Sequence, residues 1–167
     1  SVMEPCEIRF MTKVYEKVLF YEDFAKDDMA SIWADTITKS ISKESGTYNS
    51  APNSMKVSYP TQDYSKVVLD GIRLEVGKVY RMSFYAMKPQ GSTTKGINIV
   101  NTDEGFFVKT FGEPKNTMQY YEAEFKAEYK DSAKNTEGAT IQAPFLRLPP
   151  SNDPNNIVYI DDIKLVE

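Results

Sequence analysis

The chain has no histidine and a single cysteine, Cys6, in 167 residues. Without histidine, Ser-His-Asp and Cys-His nucleophile arrangements are excluded, and so is any metal site built on imidazole. One cysteine excludes an internal disulfide and a thiolate zinc site. No run is long and apolar enough to span a bilayer, and no signal peptide is visible. Basic character is lacking too. Lys and Arg number 20 against 24 Asp and Glu, giving a net charge of −4 with both signs mixed along the chain. A nucleic-acid partner needs a basic face to neutralise phosphates, so none is expected. Ser1 in place of an initiator Met reads as a processed protein or an excised fragment, with any secretion signal already removed.

Aromatic residues are plentiful. Phe, Trp and Tyr make up 13% of the chain, and Tyr alone accounts for 11 residues. Such a surplus serves as core, as interface or as stacking platform. The most informative stretch is the last, Ile157-Val-Tyr-Ile-Asp-Asp-Ile-Lys-Leu-Val-Glu167. Its branched and aromatic residues alternate with polar ones, the period of a half-buried strand. A near mirror, Val18-Leu-Phe-Tyr-Glu-Asp-Phe24, sits close to the start.

Between these ends the pattern predicts strands over 33–41, 54–59, 66–70, 74–80, 79–87, 95–100, 120–125 and 139–148. In the strongest, Tyr80, Met82, Phe84 and Ala86 share one face, and Arg81, Ser83 and Tyr85 share the other. Pro149-Pro-Ser-Asn-Asp-Pro154 is a loop that its prolines keep out of any sheet. About ten short strands, with no helical repeat and no internal duplication, predict an all-β protein. The expected architecture is a jelly-roll β-sandwich of two antiparallel sheets. Its length suits one domain. Residues 1–16 lack periodicity and read as a leader or linker with at most one short strand, and residues 17–167 form the sandwich.

Several segments recur in a known order. They are Phe24 and Trp33, Asn53-Ser-Met-Lys-Val57, Gly77-Lys-Val-Tyr-Arg-Met-Ser-Phe84, Tyr121-Glu-Ala-Glu-Phe-Lys-Ala127 and Val158-Tyr-Ile-Asp-Asp-Ile-Lys-Leu165. The series resembles carbohydrate-binding modules of families 4, 9 and 22, which accompany xylanases and glucanases. The resemblance implies a galactose-binding-domain-like jelly roll without catalytic activity. It implies a cleft on the concave sheet for an extended β-1,4-linked plant polysaccharide, xylan first and β-glucan second. It also implies a linked glycoside hydrolase catalytic domain, within a secreted or cell-surface bacterial enzyme.

A pyranose ring presents an apolar C–H face for an aromatic ring and equatorial hydroxyls for polar groups. The aromatic candidates are therefore those out of phase with the core. Tyr64 falls where the family places a stacking ring, with Tyr59 as an opposite wall. Phe106 and Phe107 cannot both enter the core from one strand, and Phe107 matches the family's cleft aromatic. Phe111 follows four residues on. Tyr85 is either a cleft aromatic or a back-face residue. Trp33 matches a position that packs in the family first and touches ligand second. Gln142 and Arg147 are the polar options near the end. Regular alternation favours Gln142, and a phase shift at Pro144 would favour Arg147.

Modules of this type require no cofactor, yet often hold a structural Ca²⁺ between the first and last strands. Asp161 matches the last-strand ligand. The family's first-strand acid follows the Phe, where this chain has Ala25, so Asp23 and Glu22, which precede Phe24, stand in for it. Two other classes compete. A jelly-roll glycoside hydrolase needs two carboxyls facing across the cleft, and the pair Glu122 and Glu124 lies too close together on one strand. A protein-interaction or adhesin domain would use the same aromatics as an interface patch.

Overall fold

A computed structural model describes residues 16–26, 31–34, 41–58, 66–101 and 107–167. In chain order its strands are β1 (Val18–Glu22), β2 (Ile32–Ala34), β3 (Ile41–Ser45), β4 (Asn53–Ser58), β5 (Val67–Leu69), β6 (Arg73–Glu75), β7 (Val79–Met87), β8 (Ile97–Val100), β9 (Phe107–Phe111), β10 (Gln119–Lys126), β11 (Thr140–Gln142), β12 (Phe145–Arg147) and β13 (Ile157–Val166). One 3-10 turn, Ser132–Lys134, is the only helical element among the described residues. None of the described helices is long and apolar enough to cross a membrane.

Two antiparallel sheets face each other. One runs β10-β7-β13-β4-β3 with β1 also on β13, the other runs β2-β5-β12-β8-β9, and β6 pairs with β11 in a small separate ladder. The alternation of β7 places Tyr80, Met82, Phe84 and Ala86 in the core, as its period requires. Val67, Leu69, Ile97, Ile99 and Leu146 meet them from the five-stranded sheet. Phe84 is fully buried, its ring 5.7 Å from Phe111 and 5.4 Å from Tyr121. At Gly96 a Cβ would stand 2.5 Å from the Phe111 carbonyl oxygen, so only glycine lets β9 close on the start of β8.

β13 organises the larger sheet. Its first half pairs with β4, Ile157↔Ser58 to Ile160↔Met55, and its second half pairs with β1, Ile163↔Glu22 to Val166↔Val18. β4 and β1 therefore lie end to end along one edge of it. At the junction the ladder with β7 slips between Asp161 and Lys164, and Asp162 takes a positive φ of 49°. The Asp-Asp pair thus marks a bulge where one strand changes neighbours.

Three expected strands divide. The 74–80 segment gives the end of β6 and the start of β7, which belong to different ladders. The 33–41 segment contributes β2 to one sheet and the first residue of β3 to the other, with residues 35–40 outside the description. The 139–148 segment breaks at Ala143-Pro144 into β11 and β12, which belong to different ladders. Proline lacks the N–H that a continuous ladder would need there.

Candidate functional site

The five-stranded sheet has a second side, facing away from the core. Val68, Val100 and Phe145 are each buried, yet they form a cluster separate from the main one. Val68 lies between the core residues Val67 and Leu69, Val100 follows the core residue Ile99, and Phe145 precedes the core residue Leu146, so strand alternation turns each outward. Register brings them into line. Trp33 stands opposite Val68, Phe145 opposite Val100, and Val100 opposite Phe107. Leu146 pairs with Val67, which puts Phe145 beside Val68 one residue along. The backbone positions 33, 68, 145, 100 and 107 therefore align in one row across all five strands, about 19 Å from end to end at ~4.8 Å per strand, with Val68, Phe145 and Val100 as buried apolar members.

A polar row runs beside it. Arg147 stands opposite Asn98, and Asn98 opposite Thr110. Lys66 precedes β5, and its Nζ lies 5.5 Å from the centroid of the Phe145 ring. Such a cation holds its charge over the negative face of the ring. Asn98 is only 4% exposed, and its Oδ1 meets no donor among the described residues. An unmet buried acceptor costs about 1–3 kcal/mol. No carboxylate stands at the described positions of either row.

The sequence candidates separate accordingly. Trp33, Phe107 and Arg147 fall on strands of this sheet, in or beside the row of aligned positions. Tyr59 and Tyr64 lie outside the described residues. Gln142 belongs to β11, which pairs with β6, so regular alternation through 139–148 does not carry it to the face that holds Arg147. Phe111 turns into the core, where its ring meets Phe84 and Tyr121 at 5.7 and 5.1 Å. Its partner across the ladder is the core residue Ile97, and that parity explains the inward turn.

Tyr85 takes the back-face alternative. It sits between the core residues Phe84 and Ala86 on the six-stranded sheet, so it points away from the five-stranded one. There its ring packs edge-on against Tyr120 at 5.3 Å. The residues that the sequence reading passed over are Val68, Asn98, Val100 and Phe145. Their signal was the shared parity of Asn98 with Val100 and of Phe145 with Arg147, hidden because runs such as Ile97-Asn-Ile-Val100 read as buried on both faces.

The carboxylates at the β13 junction were the candidates for Ca²⁺, and their partners are hydrogen-bond donors. Asp161 is fully buried. Its Oδ2 accepts the backbone N–H of Asn49 at 2.8 Å and of Ser50 at 2.9 Å, and its Oδ1 accepts that of Asp162 at 2.8 Å. Asp162 accepts from the Tyr21 hydroxyl, the Ser50 hydroxyl and the Asn49 amide at 2.9, 2.6 and 2.7 Å. Asp23 accepts the Ala25 N–H at 3.0 Å, and Glu22 accepts the Phe24 N–H at 2.8 Å and the Ser31 hydroxyl.

Calcium takes six to eight oxygens converging on one point. N–H groups aim positive hydrogens at these carboxylates, and no cluster of three acidic, histidine or cysteine ligands exists among the described residues. Among the described residues each of these carboxylates is capped by N–H or O–H donors. In this arrangement Asp161 pins the 49–50 loop against the bulge between β4 and β1.

Burial, helped by the neighbouring Asp162 charge, pushes the Asp161 carboxyl up to about 6 against the pull of its three backbone N–H bonds. The unfolded value is about 3.9. Between the two values the folded state holds the extra proton, so stability falls as pH rises through roughly 4 to 6 and levels off above. We expect the stability difference between the wild type and Asp161→Asn, read from urea midpoints, to shrink by at most about 3 kcal/mol across that window. A difference independent of pH would mean that this carboxyl titrates normally.

Comparison of the sequence finds no matching family model and no matching curated protein. Comparison of the fold does find similar structures. The CBM22-2 xylan-binding domain from Paenibacillus barcinonensis Xyn10C matches 89% of this chain and 98% of its own, with a TM-score of 0.64 and 19% identity. The CBM22-1–GH10 modules of Clostridium thermocellum endo-1,4-beta-D-xylanase 10B, complexed with xylohexaose, match 92% of this chain and 29% of their own, with a TM-score of 0.60 and 11% identity. A family 16 carbohydrate-binding module matches 77% of this chain and 86% of its own, with a TM-score of 0.52 and 17% identity. The protein therefore has the antiparallel β-sandwich fold found in these carbohydrate-binding modules.

Proposed function

We propose that this chain is a non-catalytic carbohydrate-binding module. Its ligand is an extended β-1,4-linked plant polysaccharide, xylan before β-glucan, laid across the outer face of the five-stranded sheet. The observation that carries this reading is the pair of rows on that face. Val68, Val100 and Phe145 form a buried apolar floor under that face, and a polar row with the half-buried Lys66 and Arg147 and the exposed Thr110 runs alongside to bond hydroxyls. A chain of pyranose rings has the same two-sided chemistry, with apolar ring faces and polar edges.

The fold's occurrence in a module described as xylan-binding, and in modules complexed with xylohexaose, supports the choice of ligand. Hydrolysis needs two carboxyls about 5–5.5 Å or 6.5–9.5 Å apart, and the rows offer none at their described positions. The role of such a module is to raise the effective concentration of a linked, secreted glycoside hydrolase at its substrate.

Native affinity electrophoresis through gels containing xylan, barley β-glucan, hydroxyethylcellulose or mannan tests the reading. We expect retardation by xylan, with weaker retardation by β-glucan. Unchanged mobility in every gel would favour a protein-interaction domain, with the outer face as its interface.

A further inference from the structure

A second opening lies at the side of the sandwich, away from the outer face. There the edge strands β9 and β10 approach each other across the gap between the sheets. Toward one end the gap is plugged by Phe84, Phe111 and Tyr121, whose ring centroids lie 5.1 to 5.7 Å apart. Toward the other end it is open. The β8–β9 ladder skips Val108, since Ile99 faces Lys109 while Val100 faces Phe107. A bulge of this kind bends the strand away from its partner's plane.

A pocket of about 210 Å³ remains between Val108 and Phe125. Leu74 and Ile141, each no more than 2% exposed, close its floor, and Gln142 and the exposed Glu128 stand at its rim.

The shape limits the occupant. Drug-sized ligands fill pockets of about 300–1,000 Å³, so this one has room for little more than a single ring. Its floor belongs to the core, so no polymer can thread through it. One aromatic wall, aliphatic surroundings, and an amide and a carboxylate at the mouth match a ring that is apolar on its faces and hydroxylated at its edge. We infer that this pocket takes the terminal pyranose ring of a sugar chain, end-on, as a site separate from the outer face. The inference shares with the proposed function the premise that the ligand is a saccharide, but it concerns chain ends rather than chain interiors.

Methyl NMR on the wild-type protein separates the two. Val108 and Ile141 report on the pocket, and Val68 and Val100 on the outer face. Xylotriose is rich in ends, whereas long-chain xylan at equal mass has few. We expect xylotriose to shift the Val108 and Ile141 methyls saturably, and xylan to leave them in place. Gln142→Ala should weaken the xylotriose response at least threefold without changing retardation by polymeric xylan.

Pocket methyls that stay still at saturating xylotriose overturn the inference. If the outer-face methyls move in that case, the proposed function survives it. Movement of the pocket methyls alone supports the end-on site and counts against the outer face.

Discussion

Arg147→Ala should weaken binding to polymeric xylan roughly tenfold to a hundredfold. Arg147 is half-buried on β12, opposite Asn98, on the side of the sheet that faces away from the core. Its guanidinium is the polar group on the described part of this face with the most donors. A hydrogen bond to a charged group contributes about 1.5–3 kcal/mol, and each 1.4 kcal/mol is a factor of ten in affinity. Arg147→Lys should recover only part of the loss, because an ammonium keeps the charge without the planar fork.

Gln142→Ala should leave polymer affinity unchanged, since Gln142 sits in a different ladder. Isothermal titration beside a thermal melt is the appropriate pair of measurements. Equal affinity in Arg147→Ala and wild type would remove the outer face from consideration. Weaker binding with a much lower melting temperature would make Arg147 a structural residue.

Phe84→Ala should destabilise the fold by about 3–5 kcal/mol, the usual cost of emptying a buried aromatic site. Phe84 is fully buried at the centre of β7 and touches both Phe111 and Tyr121, which plug one end of the open side. Aromatic pairs of this kind add about 0.5–1.5 kcal/mol beyond their buried area. For a domain of this size 1 kcal/mol moves the melting temperature by about 2–4 °C, so a fall of roughly 6–20 °C is expected. Tyr120→Ala, on the outer side of the same sheet and 50% exposed, should change it far less. A small effect at Phe84 would mean that Phe111 and Tyr121 collapse into the vacated space.

Part of this molecule was readable from one dimension. Period-two alternation placed β7 and β13 correctly and identified which residues of β7 enter the core, because a strand's two faces are set by local geometry alone. The all-β sandwich followed from the number of such segments. The absence of histidine removes whole classes of chemistry whatever the fold.

Other features depend on which strands become neighbours, and alternation carries no information about that. A single expected strand at 139–148 became two, in different ladders, so the parity argument that linked Gln142 to Arg147 had no continuous strand to act on. The phase of Phe111 was settled by its pairing with Ile97. Asp161 read as a possible cation ligand, and only the fold brings to it the backbone N–H groups of residues 49–50, more than a hundred positions away. The row of aligned positions exists only because register aligns five strands drawn from residues 33 to 145. The sequence by itself determined which residues alternate, and therefore the class of fold. Only the tertiary structure decided which alternating residues share a surface, because cross-strand register is a property of pairs of segments and is written in neither one alone.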